Sequence, residues 1–585
     1  MSRTPHRDLP LSLQRLSWLT FFTSIAAMVF VLLAEGYEII KAPWFQSFAT
    51  AIWLSAVAVS VLNEWLVARR AIRPIEALQA QAVDVVLLGV IVLLALWGGH
   101  SQLGLAVFVR QAIVATRVFI STRRGQRLLL TLLGQPAKLL TGSFAAIIVV
   151  GALFLTFPRS TTDDAGASPI DALFTATSAT CVTGLTVLNT NDDGRGQAGY
   201  QAFSTFGQVV IFILIQVGGL GIMTLSSSLL LFMGRRLGLR GQALMQNVME
   251  EESRRDLERS LRFVVKSTFL IEAVGATLLF WRFLPILGDG SQAFYYAVFH
   301  SVSAYCNAGF SLFGDNLTSL RSDGVVMVTV MGLITMGGLG APVVAALAQR
   351  EHLHRSPWVS WARLPAHVRM VLLISLGLVL TGAVVFYYCD FFASLDGLSR
   401  GDKVLSAFFQ SVTMRTAGFN TVDLGLMHRV TLVACVLLML VGGSPGGTAG
   451  GVKTSTMAVV FLSVRAMLLG RDEVELGGRT IPRTIVYKAV SILLIYLGTL
   501  TAAFLCLLVT EPEKSFESLL FECCSAIGTV GVSMSVTPKL SIVGKIIITG
   551  LMFVGRTGPL TLALAVGERT ERIAVHYPEG KFMVG

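Results

Sequence analysis

The sequence predicts an all-α polytopic membrane protein, in which four fused span–half-helix–span repeats surround a quasi-fourfold pore and about four extra transmembrane helices precede them. Three observations carry this. Hydrophobic residues fill 54% of the 585 positions and charged residues only 14%, with mean hydropathy +0.70, more apolar surface than a soluble core hides. Basic residues collect in segments between apolar stretches, as membrane orientation requires. A twelve-residue pattern recurs four times, each copy between two candidate spans.

The first spans are expected at about 16–35, 43–63, 84–98 and 103–121. Basic segments 1–15, 68–73 (Arg69, Arg70, Arg73) and 123–127 alternate with loops poor in Lys and Arg, which places the N-terminus in the cytoplasm. The apolar run 16–34 has no small-residue cleavage motif behind it and reads as an anchor rather than a removable signal. Beyond residue 125, basic loops 235–266, 350–369, 465–488 and 569–581 read as cytoplasmic; 158–171, 284–292, 390–402 and 510–517 read as external. The expected divisions are an N-terminal bundle 1–124, pore repeats 125–240, 241–350, 351–470 and 471–568, and a cytoplasmic tail 569–585. The net charge of +11 therefore faces lipid headgroups and the cytosol, and no nucleic-acid partner is expected.

The recurring stretches are FTATSATCVTGL (174–185), FHSVSAYCNAGF (299–310), FFQSVTMRTAGF (408–419) and FECCSAIGTVGV (521–532). Each places Phe ten residues before a glycine (Gly184, Gly309, Gly418, Gly531) and a small residue five before it. A helix that stops inside a membrane leaves carbonyls without partners, which is tolerable only where they line a polar cavity. Its negative end favours a cation there. The glycine admits backbone angles that turn successive carbonyls toward one axis. Four such loops replace the water shell of an alkali cation. Arg415, three residues before Gly418, is then expected to point back into the wall and to pair with Glu522, with Asp402 or Glu517 as alternatives.

The run GGSPGGTAGGVKTS (442–455) resembles a phosphate loop but fails as one: Val452 separates the last glycine from Lys453, and residues 431–452 are an uncharged stretch of membrane-span length. Six glycines with Ser444 and Pro445 in ten positions cannot hold a regular helix, since glycine costs about 1 kcal/mol and proline about 3. Small residues suit a narrow vestibule. Gly218-Gly219-Leu220-Gly221 and Gly337-Gly338-Leu339-Gly340, at equivalent positions of the first two units, read as tight helix packing. The seven cysteines read as buried small residues.

These motifs, with RTAGFNTVD (415–423), FVGRTGPLTL (553–562) and YPEGKFMVG (577–585), resemble the Trk/Ktr/HKT superfamily of potassium transporters, the Ktr-type membrane subunit above all. The resemblance covers about 125–585 and implies four M1–P-loop–M2 units in one protomer. It also implies a homodimer in the cell membrane with a cytosolic nucleotide-binding regulatory ring, any nucleotide being held by that separate subunit and no cofactor by this chain. By the same resemblance, the K+ selectivity filter consists of Val182, Thr183 and Gly184; Asn307, Ala308 and Gly309; Thr416, Ala417 and Gly418; and Thr529, Val530 and Gly531. Glycine rather than serine at 184 goes with potassium in that superfamily; a sodium-permeable or Na+/K+ cotransporting relative is the alternative. The intramembrane gate is implied to be Gly442, Gly443, Ser444, Pro445, Gly446, Gly447, Thr448, Gly450 and Gly451, with Lys453 capping the loop and Arg556 contacting it. The N-terminal bundle exceeds what the superfamily carries. Arg110 and Arg117, seven apart on one helix face, with Glu64 and Asp84, faintly resemble a voltage sensor; anchoring charges are the alternative. The mixed-charge segment 235–262 is expected to be a solvated amphipathic helix or the docking surface for the ring.

No HExxH, GxSxG or paired-carboxylate constellation is present, so an enzyme is not expected and no catalytic residues are assigned.

Overall fold

The computed structural model describes residues 11–31, 43–69, parts of 107–118, 136–191, 201–221, 254–348, 361 and 363–558. The expected span 84–98, the tail 569–585 and most of the segment 235–262 lie outside them.

Within the described residues one helix order recurs four times, and each half-helix and each inner helix is started by a polar capping residue. The outer helices are Pro136–Leu155, Arg254–Leu287, Ala366–Cys389 and Arg483–Thr510. The half-helices are Pro169–Thr180, Gly290–Tyr305, Arg400–Thr413 and Phe516–Gly528. At 12 to 16 residues they reach roughly 18–24 Å, short of a bilayer core. Ser168, Asp289, Ser399 and Ser515 cap them by accepting backbone N–H bonds of the first turn. Such bonds hold the Asp289 carboxyl below its ordinary range, the Ser291 hydroxyl contributing most and the Gln292 and Ser291 amides next. The caps thus satisfy one amide of the first turn in three half-helices and two in the second, and each half-helix ends at its carbonyl end beside the filter.

Four inner helices return the chain: Thr205–Gly219, Gly324–Leu339, Arg429–Leu440 and Ile542–Thr557. Two of them are continued beyond a break. The second turns through 105° at Gly340 (φ +83°) into Ala341–Leu347. The third stops at Leu440 and resumes only in Thr454–Leu468. Three helices are long and apolar enough to cross a membrane among the described residues, Leu261–Leu287, Ala366–Cys389 and Arg483–Thr510, and the bent pair makes a fourth. One small departure from an all-helical chain occurs in the segment 465–488: Val474–Leu476 pairs antiparallel with Arg479–Ile481 across Gly477 and Gly478, both at positive φ as a type I′ hairpin turn needs.

The units close on one another through polar contacts near the half-helix starts and filter loops. Asn191 donates to Tyr296 Oη at 2.6 Å between the first and second, and Leu317 N donates to Asn420 O at 3.1 Å between the second and third. Lys545 of the last inner helix meets Asp171 of the first half-helix at 2.6 Å, joining the fourth unit to the first. Ahead of the units, helices Leu11–Val31 and Pro43–Arg69 bury Ala27, Trp53 and Ala56 in the same apolar core as Phe144 and Ile148 of the first outer helix.

The Lys545–Asp171 pair is mostly buried, at 16% and 17% side-chain exposure, so removing one partner strands the other. Lys545→Met and Asp171→Asn are each expected to lower unfolding stability in detergent by about 1–3 kcal/mol. The double variant is expected to cost less than the sum, and strict additivity in a thermal-melt cycle would show that the pair does not close the ring.

Candidate permeation site and the loop beneath it

The four half-helices end with at most two residues between them and the filter stretches that follow. Thr183 N donates to Ser178 O at 2.8 Å, Ala308 N to Ser303 O at 2.7 Å and Val530 N to Ser525 O at 2.8 Å, the six-to-one bond of a helix C-cap. The third unit is tighter by one residue, with Ala417 N donating to Thr413 O at 2.9 Å. In every unit the residue two before the glycine is left-handed: Val182 (φ +55°), Asn307 (+60°), Thr416 (+75°) and Thr529 (+51°). For β-branched Val182, Thr416 and Thr529 this conformation is strained, on the order of 1–3 kcal/mol each. Every β-branched residue at positive φ among the described residues lies at this position, so the strain is confined to the filter.

The glycines follow at φ +94°, +72°, +80° and +91°. A methyl group added at Gly184 would strike Ala308 O. At Gly309 it would come within 2.8 Å of Ala417 O, at Gly418 within 2.9 Å of Val530 O, and at Gly531 it would strike Thr183 O. The contacts run from each unit to the next and back to the first. Gly418 also approaches Thr183 O across the ring, its added methyl lying 3.3 Å away. The residues singled out from the sequence, with the carbonyls of Thr183, Ala308, Ala417 and Val530 among them, therefore surround a single axis. An arrangement of main-chain oxygens facing one another at negative helix ends holds a cation and repels an anion.

Four hydroxyls behind the filter went unnoticed in the sequence. Ser178 and Ser525 accept from the amides of Gly184 and Gly531, both at 3.1 Å. Ser303 and Thr413 donate to the carbonyls of Phe310 and Phe419, both at 2.7 Å. All four are fully buried. The signal was legible: serine stands six before the glycine in units one, two and four, beside the small residue used for the alignment.

The expected pairing of Arg415 with Glu522 is not formed. Arg415 turns into the wall, donating to Ser375 O and Ser375 Oγ at 3.3 Å and to Gly442 O at 3.4 Å. Among the described residues it makes no ion pair, so Asp402 and Glu517 are not its partners either. Depth explains this. Arg415 follows the inner end of its half-helix, whereas Glu522 lies six residues, roughly 9 Å, before the end of its own. Glu522 instead accepts from Ser533 Oγ at 2.7 Å and from Thr537 Oγ1, holding the segment that leaves the fourth filter. Asp402, nearer still to the outer surface, accepts from Ser399 and Ser322.

Beneath the filter lies the glycine-rich run. Gly442 N donates to Val452 O at 2.9 Å and pinches its two ends together. Ser444 N donates to Gly338 O, Thr448 N to Gly337 O and Ala341 N to Gly446 O, at 3.0 to 3.2 Å, tying the loop to the bend of the second inner helix. Thr448 Oγ1 donates to Tyr305 O at 3.2 Å, at the end of the second half-helix. On the opposite side, a side chain at Gly450 would strike Thr529 of the fourth unit, and Gly451 beside Gly528 has a positive φ of +67°, so glycine suits both positions. Lys453 donates to Ala449 O at 2.5 Å. Arg556 donates to Thr448 O in the loop and to Gly218 O of the first inner helix. The loop is thereby held by the second and fourth units, and Arg556 links it to the first. Gly218 and Gly337 also permit the inner helices to lie against the half-helix carbonyls of Thr180 and Tyr305.

In the N-terminal helices, Arg110 is buried and donates to Ser60 Oγ at 2.7 Å, while Ser24 donates to Gln111 Oε1 at 2.8 Å. Arg117, Asp84 and the side chain of Glu64 lie outside the described residues.

With this geometry in hand, comparison with known proteins is specific. The TrkH family model, described as a cation transport protein, matches residues 143–572. The chain is 37% identical over 458 residues to the Ktr system potassium uptake protein B of Vibrio alginolyticus, covering 77% of this chain and 95% of that one. It is 32% identical over 461 residues to the potassium/sodium uptake protein NtpJ of Enterococcus hirae, covering 77% and 97%. The crystal structure of the potassium transporter TrkH from Vibrio parahaemolyticus shares the fold, with TM-score 0.61 over 85% of this chain and 98% of that one, at 17% identity.

Because any side chain at Gly531 collides with the neighbouring unit's Thr183 carbonyl, Gly531→Ala is expected to reduce cation flux at least about tenfold, the cost of one displaced main-chain ligand. Gly332→Ala, at a position of the second inner helix open for 4 Å, is expected to leave flux unchanged. Tracer uptake into proteoliposomes measures both.

Proposed function

The chain belongs to the TrkH family of cation transport proteins, and from that premise we propose that it is the translocating subunit of a potassium uptake system, carrying K+ inward through the quadruple filter. The observation that carries this reading is the closed succession of contacts from Gly184 through Gly309, Gly418 and Gly531, with the preceding carbonyls between them. A dehydrated alkali cation needs oxygens of that kind, and no catalytic constellation competes for the site. The names of the Vibrio and Enterococcus relatives support potassium; the latter also keeps sodium as the alternative cargo.

The loop 442–453 serves as the gate. It underlies the filter, is built of residues small enough to lie across a narrow passage, and rests on contacts from the second and fourth units. Arg556 is the latch in this reading, because it bridges the loop carbonyl of Thr448 to the first inner helix. Opening requires that Arg556 lets go of one of them. A second copy of the chain forms a homodimer, and a cytosolic nucleotide-binding ring on a separate subunit biases the loop. Transported K+ is cargo, and this chain carries no cofactor. Both termini face the cytoplasm.

Expression in a bacterial strain lacking its own potassium systems is expected to restore growth at low K+. Gly184→Ser is expected to admit Na+ at the expense of K+. Failure of the wild-type chain to carry K+ would refute the reading. Hydrogen bonds from a charged donor contribute about 1.5–3 kcal/mol each, so Arg556→Gln is expected to raise K+ uptake without the ring about tenfold. An unchanged or lower rate in properly assembled protein would remove Arg556 as the latch.

A further inference from the structure

A single class of contact separates the four filter loops into two pairs. In units one and four, a serine hydroxyl at the end of the half-helix accepts the glycine N–H: Gly184 to Ser178 and Gly531 to Ser525. In units two and three, the hydroxyl donates instead to the carbonyl one residue beyond the glycine: Ser303 to Phe310 O and Thr413 to Phe419 O. The two pairs are not interleaved around the ring. Units two and three are neighbours, as are four and one.

The consequence follows from peptide planarity. In a trans peptide, N–H and C=O point in opposite directions. Drawing the Gly184 N–H toward Ser178, behind the loop, turns the Thr183 carbonyl away from the wall. The Gly531–Ser525 bond does the same for the Val530 carbonyl. In units two and three the bonded group is the carbonyl itself, so Phe310 O and Phe419 O are drawn into the wall at the ordinary O–H···O length. Among the described residues no donor engages the equivalent oxygens, Leu185 O and Val532 O.

We propose that Ser178, Ser303, Thr413 and Ser525 are positioning residues that determine cation selectivity: two aim filter carbonyls at the ion, and two withhold carbonyls that would otherwise add to its ligand set. This rests on the reading of the filter as a K+ site and goes beyond it, since it assigns discrimination to side chains that never touch the ion. A ring of carbonyls distinguishes K+ from Na+ by its radius or by the number and field of its oxygens. A hydroxyl held at a fixed distance behind each loop controls both.

The test is competition between K+ and Na+ in proteoliposomes, because the ratio is a property of each working molecule and does not depend on how much protein assembles. Ser178→Ala, Ser525→Ala and Thr413→Val are each expected to lower K+-over-Na+ discrimination about tenfold, as the loss of one buried hydrogen bond implies. Thr413→Ser, which keeps the hydroxyl, is expected to retain wild-type discrimination. Ratios within twofold of wild type for the three variants would overturn the inference while leaving the K+ reading intact. A Thr413→Ser ratio as low as that of Thr413→Val would overturn it too, since packing rather than the hydroxyl would then be responsible. A wild-type chain that carries no K+ overturns the transport reading and the inference with it.

Discussion

An unpartnered peptide group inside a bilayer is expensive, and this protein is organised around four half-helix ends and two broken inner helices that must face that constraint. Each half-helix, too short to cross, halts with its last carbonyls open. The only tolerable surroundings are other polar groups or a cation. Packing four such ends around one axis supplies such surroundings: the oxygens share a polar, negative site, and the apolar outer helices shield it from lipid. Capping residues at the opposite ends complete the arrangement, because Ser168, Asp289, Ser399 and Ser515 leave no equivalent deficit at the membrane surface.

The same constraint explains why the loop 442–453 and the bend of the second inner helix occur together. Pro342 has no N–H, so Gly338 O loses the partner a continuous helix would give it. The Ala341 amide, which would have served Gly337 O, goes to Gly446 O instead. Ser444 N and Thr448 N then supply the two vacated carbonyls. A helix break on one side and a helix break on the other exchange hydrogen bonds, so neither leaves orphaned groups while the two remain together. Separating them reopens at least three backbone pairs at once, each worth about 0.5–1.5 kcal/mol net and more where water cannot enter. This makes the loop position a discrete state rather than a continuum, which a switch requires.

How much of this was legible in the chain depends on whether the cause was local. The fourfold Phe-to-glycine spacing was readable because each unit solves the same backbone problem with the same residues. The Gly/Pro-rich break at 442–451 was readable because propensity alone forbids a helix there. Gly340, by contrast, read as a packing glycine beside Gly337 and Gly338. Its φ of +83° depends on a loop a hundred residues away accepting the freed amide. Arg415 and Glu522 were paired on charge and repeat alignment alone. The alignment sets sequence offset from the glycine but does not show that one residue follows the inner end of a half-helix while the other lies within one. The hydroxyls at Ser178, Ser303 and Ser525 were present in the aligned stretches. A buried serine is an ordinary way to fill a small space, and only the partner atom reveals its use.

Fusing four units into one chain lets one of them diverge without disturbing the rest, and the third unit has done so in a connected way. Its half-helix turns into the filter one residue sooner than the others, with Thr413 in place of the serine. The shortened turn brings Arg415 to the inner end of the half-helix, where it reaches Gly442 O at the start of the loop. A loop placed beneath all four filters would collide with its own copies, since the space there is narrow enough that Gly450 tolerates no side chain. One loop, contributed by one unit and held by its two neighbours, fits. The near-symmetry of the filter and the strict asymmetry beneath it are therefore compatible: an ion is best surrounded evenly, whereas a narrow space beneath the ring holds only a single piece.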